Sequence, residues 1–184
     1  MILAEAIAVG LVLSLLTGGS VRALAREPLK GEAVLILLLP IQLLWPGIAA
    51  RLGLECTIST IIWLFLMAVL AIVLFLNGSR RWMLAVAGLG IALNVLVIGA
   101  NGAMPVSIKA TSEMGVPRDT AREELASDCL HEELNADTRL APLADIVTVS
   151  GPPWQRGVIS VGDVVLAFSL AAWVFVSSRI SRSL

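Results

Sequence analysis

Residues Thr57 to Leu76 read TISTIIWLFLMAVLAIVLFL, a run of 20 positions without a charge. At a helical rise of about 1.5 Å per residue it is long enough to cross a hydrocarbon core about 30 Å thick. The rest of the 184-residue chain has the same character: 58% is hydrophobic and mean hydropathy is +0.91. Soluble domains have roughly 45–50% apolar residues. Charged residues make up only 15% and lie almost entirely between the apolar runs, as a chain that crosses a bilayer repeatedly requires.

On its C-terminal side the run ends in Asn77-Gly78-Ser79-Arg80-Arg81, a turn with two cations, and a second run follows over 82–100 with Trp82 at the interface. On its N-terminal side a short turn from Arg51 to Cys56 leads back to a run over 33–50 that contains Pro40 and Pro46. Each proline removes a backbone donor and is expected to kink a helix. The first run covers 2–17, interrupted by Glu5, and its positive charges follow it as Arg22, Arg26 and Lys30. An uncleaved anchor fits that order better than a secretory signal, which is positive at its start. The last run, 158–178, contains one acid, Asp163.

These runs predict an all-α membrane protein, a bundle of about five transmembrane helices with one long extracytoplasmic loop over 101–157. Charge bias orients it, because short cytoplasmic segments carry the excess of Lys and Arg. Arg22, Arg26, Lys30, Arg80, Arg81, Arg179 and Arg182 fall on one side. Arg51, Lys109, Arg118, Arg122, Arg139 and Arg156 fall on the other, where acids outnumber them in the long loop. The N-terminus is therefore expected outside and the C-terminus inside, in a bacterial inner membrane. Within the loop, Thr120-Ala121-Arg122-Glu123 has capping-box spacing and predicts one short helix over about 120–135. Pro105, Pro117, Pro142, Pro152 and Pro153 punctuate the remainder.

This topology brings polar residues to similar depth near the outer face. Asp163 is expected roughly 8 Å below the start of its span and Asn94 roughly 9 Å from the same surface. Asn101 lies two turns beyond Asn94 on the same face, and Glu5 is close to the outer end of the first span. An acid inside a span is by default a functional candidate. Small residues at Ala167 and Ala171 turn its face toward the bundle. The returning loop adds His131, Arg139 and Asp145, so an outward polar pocket is expected from Glu5, Asn94, Asn101, His131, Arg139, Asp145 and Asp163. It can bind a small ligand, a lipid headgroup or a partner protein beside the membrane lipids. His131-Glu132-Glu133-Leu134-Asn135 lacks the second histidine of a zinc motif, so no metal or other cofactor is implied. With a net charge of −1 and no basic cluster, nucleic-acid binding is excluded. Cys56 and Cys129 both fall on the outer side, and spacing alone leaves a disulfide and two free thiols equally open.

Gly18-Gly19-Ser20-Val21-Arg22, Asn101-Gly102-Ala103-Met104-Pro105-Val106-Ser107, His131, Thr138-Arg139-Leu140, Asp145 and Ile159-Ser160-Val161-Gly162-Asp163 resemble a family of uncharacterised bacterial membrane proteins known only as a domain of unknown function. That resemblance implies an integral membrane protein and no particular activity. A shorter one, Val161-Gly162-Asp163 before an apolar helix together with Asn135-Ala136-Asp137-Thr138-Arg139, is similar to the lipoprotein signal peptidase, a membrane aspartyl protease. It implies two catalytic acids, Asp163 with Asp137 or Asp145, one activating water and one protonating the leaving group. In the second segment the acid stands one place early. The alternative to chemistry is that Asp163 is neutralised by Arg139 or Arg156, by Asn94, or by its own proton.

Overall fold

A computed structural model describes residues 2–79, 81–151 and 156–179. Arg80 and Arg182 of the charge bias, and Pro152 and Pro153 of the loop, lie outside them. Along the chain the elements are α1 (Ile2–Leu16), α2 (Val21–Ala25), α3 (Glu32–Arg51), α4 (Cys56–Asn77), α5 (Trp82–Asn101), β1 (Met104–Val106), α6 (Ile108–Glu113), α7 (Arg118–Ala126), β2 (His131–Glu133), a 3-10 turn (Ala141–Leu143), β3 (Val147–Val149), β4 (Gly157–Ile159) and α8 (Val161–Ser177). The described residues are mostly helical. Among them α3, α4 and α5 are long and apolar enough to cross a membrane, while α1 and α8 are apolar but shorter. At about 1.5 Å per residue α8 is about 25 Å long.

The long helices stand side by side in the order α3, α4, α5, α8, α1. The main core lies where α5 meets its two neighbours, with Leu70, Leu74, Leu84, Ala87, Ile91 and Leu166 buried between them. α3 is the least covered: Ile36 is 72% and Leu43 77% exposed. Apolar area costs about 25 cal/mol per Å2 when left in water, so faces of this kind match a lipid environment. α3 continues through both Pro40 and Pro46.

Glycines set the closest approaches. Gly90 of α5 and Gly162 of α8 face each other so tightly that a Cβ on either would lie 2.5 Å from the other's carbonyl oxygen. Gly10 of α1 is in the same relation to Ala171 of α8. Small residues let backbones touch in this way where no water is available to drive association. α1 and α8 run parallel, since the Ser14 hydroxyl also meets that of Ser178 one to two turns further along both helices.

Two sets of ties close the ends of the layer. At the end holding the C-terminus of α8, Ser20 N–H donates to the Ser178 carbonyl at 2.8 Å, and Arg81 pairs with Glu27 at 2.8 Å. Asn77, the last residue of α4, accepts from Lys30 N–H at 2.8 Å and donates to the Lys30 carbonyl at 2.9 Å. At the other end the described part of the chain between α5 and α8 packs on these two helices, β1 against α5 and the 3-10 turn against both. β1 pairs in parallel with β2, and β3 pairs antiparallel with β4.

Three expectations are corrected here. The last apolar run does not begin its helix at 158: Val158 and Ile159 lie in β4, opposite Thr148 and Val147, and α8 starts at Val161. The loop helix does not cover 120–135. α7 begins after Pro117, with Thr120 inside it and not at its cap, and ends at Ala126, because 131–133 is drawn into pairing with 104–106. The loop also holds more than one short helix: α6 starts at Ser107, whose hydroxyl accepts from Ala110 N–H at 3.2 Å.

Candidate functional site

α8 begins with Ser160-Val161-Gly162-Asp163, and the spacing forms a capping box. Ser160 Oγ accepts from Asp163 N–H at 2.9 Å, and Asp163 Oδ2 accepts from Ser160 N–H at 3.2 Å. Asp163 therefore sits in the first turn of its helix, not five residues inside a span. The carboxylate satisfies a helix-start donor and lies at the positive end of the helix dipole. Its other oxygen accepts from Asn94 Nδ2 at 2.8 Å, and Asn94 Oδ1 accepts from the Ser160 hydroxyl at 2.8 Å. Asn94 and Ser160 are buried, at 5% and 0% exposure. One amide thus fastens α5 to the start of α8, beside the contact of Gly90 with Gly162. Neither arginine weighed above neutralises Asp163: Arg139 Nη1 donates to the Ala100 carbonyl at 3.4 Å and Arg156 Nε to the Gly151 carbonyl at 2.9 Å.

Next to this cap lies Asp145. Its backbone extends the β1 edge, donating to the Pro105 carbonyl and accepting from Ser107 N–H, both at 2.9 Å. This pins the residue under the loop with its side chain turned inward at 8% exposure. Carboxylate Oδ1 is buried and has no hydrogen-bond partner among the described residues. Burial, then the charge of Asp163, push its pKa up to about 7, and the charge of His131 pulls it partly back. The carboxyl is consequently poised between its two protonation states near neutrality.

His131 is the third member. Its Nδ1 lies 2.7 Å from Asp128 Oδ2, and Asp128 Oδ1 also accepts from Leu130 N–H at 2.7 Å. Burial acts to lower the imidazole pKa, but the Asp128 bond and the charges of Asp128, Asp145 and Asp163 outweigh it, so the net shift is upward. The bond to His131 holds Asp128 below the usual carboxylate range. His131 thus stands among acids that favour its charged form, and Asp128, absent from the sequence-derived set, orients it.

The other candidates lie further out. Asn101 ends α5 as Asn77 ends α4: it accepts from Arg139 N–H at 2.8 Å and donates to the Arg139 carbonyl at 2.9 Å. It anchors the loop by backbone, and the Arg139 side chain is exposed. Asp137 is exposed in a turn where Asn135 Oδ1 accepts its N–H at 2.8 Å. Glu5 is half-buried on α1 and makes no hydrogen bond or ion pair to the cluster among the described residues. Cys56 and Cys129 form a disulfide with Cα atoms 4.8 Å apart, tying the start of α4 to the loop next to His131. Thr60 supports it by donating to the Cys129 carbonyl at 3.0 Å. Among the described residues no group of three or more His, Cys, Asp or Glu side chains has metal-site geometry.

Comparison with curated proteins and with solved structures finds no match. Residues 27–175, which take in α3 to α7, all but the last two residues of α8 and every member of the Asn94, Asp145 and His131 cluster, match a family model, and the chain belongs to that family, the family of unknown function DUF5317.

Proposed function

We propose that this is a five-span protein of a bacterial cytoplasmic membrane, N-terminus outside and C-terminus inside, whose outer end binds a small cation or protonated amine at Asp145. The shorter α1 and α8 would cross beside the three long helices, and their parallel course is what two outside-to-inside spans require. A disulfide between Cys56 and Cys129 persists in an oxidising compartment, which supports an extracytoplasmic loop.

The ligand reading is carried by one observation: Asp145 Oδ1 is buried and unpartnered, beside a second acid already committed to Asn94 and Ser160. Leaving a buried acceptor without a donor costs about 1–3 kcal/mol, which a bound cation or ammonium would recover. Thermal unfolding of the purified protein at pH 8 with sodium, calcium or methylammonium tests this. At least one should stabilise the wild type and not Asp145→Asn. If none does, or if the variant responds equally, Asp145 is not a binding site.

A membrane aspartyl peptidase is the second reading, favoured by the effect of the Asp163 charge on Asp145. Against it, both Asp163 oxygens are occupied by structural donors, whereas a catalytic pair needs one free to activate water. Cleavage of membrane-anchored peptides that is lost in both Asp145→Asn and Asp163→Asn would establish it. Absence of cleavage in the wild type would end it.

A further inference from the structure

A concavity lined in part by His131 lies between the loop ends of α4 and α5, with a volume of about 420 Å3. Its lower wall is apolar, formed by Ile61, Leu64 and Ile98, and Gly99 lines it without a side chain to fill it. Ile61 is 60% exposed, so the groove is open sideways along the apolar helix faces. Its upper rim is polar and carries Asp128, His131 and Glu132. The two parts differ in what they match, acyl chain below and headgroup above.

The charges on the rim favour one kind of headgroup. Asp128 and His131 satisfy each other through Nδ1, which leaves Nε2 clear of that bond; Nε2 donates in the imidazolium form, which the surrounding acids favour. Glu132 is half-buried, and its side chain has no hydrogen bond or ion pair among the described residues. A single groove therefore offers a donor of positive character and a carboxylate with no partner. We propose that it holds a phospholipid with a primary-ammonium headgroup of the phosphatidylethanolamine type. The ammonium would meet Glu132, the phosphate would meet His131, and one acyl chain would lie along Ile61 and Leu64.

Charge-assisted bonds need donors, and a primary ammonium has three while a quaternary choline has none. An anionic glycerol headgroup would bring its charge against Glu132 with no ammonium to meet it. The proposal rests on the five-span reading in placing the groove in the outer leaflet, but not on any ligand at Asp145.

Native mass spectrometry of the delipidated protein, titrated with phosphatidylethanolamine, phosphatidylcholine and phosphatidylglycerol of matched chains, tests it. The ethanolamine lipid should be retained at least fivefold over both others. Glu132→Gln should bring that ratio to within twofold. Gly99→Trp should reduce retention of all three lipids at this site; a Cβ at Gly99 meets no atom within 4 Å, and an unfolding midpoint close to that of the wild type checks that the variant folds. Equal retention of the three lipids by the wild type, a preference for the glycerol lipid, or an ethanolamine preference that survives both substitutions would overturn the proposal. Asp145→Asn should leave the preference intact, which separates failure at this groove from failure at Asp145. Topology reporters decide the leaflet separately: a preference that stands with the loop in the cytoplasm keeps the site and removes the orientation.

Discussion

Replacing Asp145 by Asn keeps the shape of the side chain and removes the charge that its surroundings oppose. In the fold the carboxyl holds its proton up to about pH 7, against an ordinary value of 3.8 in the unfolded chain. Between these pH values the native state binds a proton that the unfolded state has released, so stability falls as pH rises from about 4 to about 7 and is level above that. At about 1.36 kcal/mol per tenfold change the span is on the order of 4 kcal/mol, and the residue is buried enough that solvent screening takes little from it. For a chain of this length that corresponds to about 10 °C in Tm. Unfolding followed by circular dichroism in detergent at pH 4 to 8 should show the wild type and Asp145→Asn close together at pH 4. The variant should become the more stable as pH rises. Parallel curves across the whole window would refute the burial of an ionisable, unpartnered Asp145.

Four further outcomes follow from the same geometry. His131→Asn should lose most stability below about pH 6.5 and approach the wild type as pH climbs through the raised imidazole pKa, read from the same pH series. Asn94→Ala leaves the Ser160 hydroxyl and one Asp163 oxygen without their partner, which should cost about 1–3 kcal/mol in chemical unfolding; an unchanged midpoint would show that the amide is not a tie. Gly162→Ala drives a Cβ into the Gly90 carbonyl and should cost about 1–3 kcal/mol by separating α5 from α8, measured as loss of monodisperse protein on heating. Reducing the Cys56–Cys129 bridge, which closes a separation of 73 residues, should lower stability by up to about 4 kcal/mol on a loop-entropy basis, measured with and without reductant.

The apolar runs were legible because 20 uncharged positions such as 57–76 have only one suitable solvent. The pairing of Asn94 with Asp163 was legible as polar residues at similar depth on otherwise apolar helices. The start of α8 was not, since Val158 and Ile159 are equally apolar in a strand and in a helix, and this shifted Asp163 from a capping position to an apparent position inside the span. The signal that corrects it is Ser160 three residues ahead of the acid, a spacing that marks a helix start. β1 and β2 have three residues each, too few for alternation to show, so the fold of 101–160 and the burial of Asp145 depended on contacts distant in sequence. Asp128 and Glu132 stand in an ordinary polar stretch of the loop, and only the fold sets one against His131 and the other on the rim of the groove.

The most direct test of the whole account is the side of the membrane on which the 101–160 segment lies, because the disulfide, the Asp145 site and the lipid groove are all assigned to one face. Dual reporters inserted at the exposed turn around Asp137, one active only outside the cytoplasm and one only within it, read this in intact cells. External activity at that turn, with the opposite result for a reporter fused after Arg179, is the predicted outcome. Cytoplasmic activity at the turn would contradict the five-span orientation and the outward-facing site built on it.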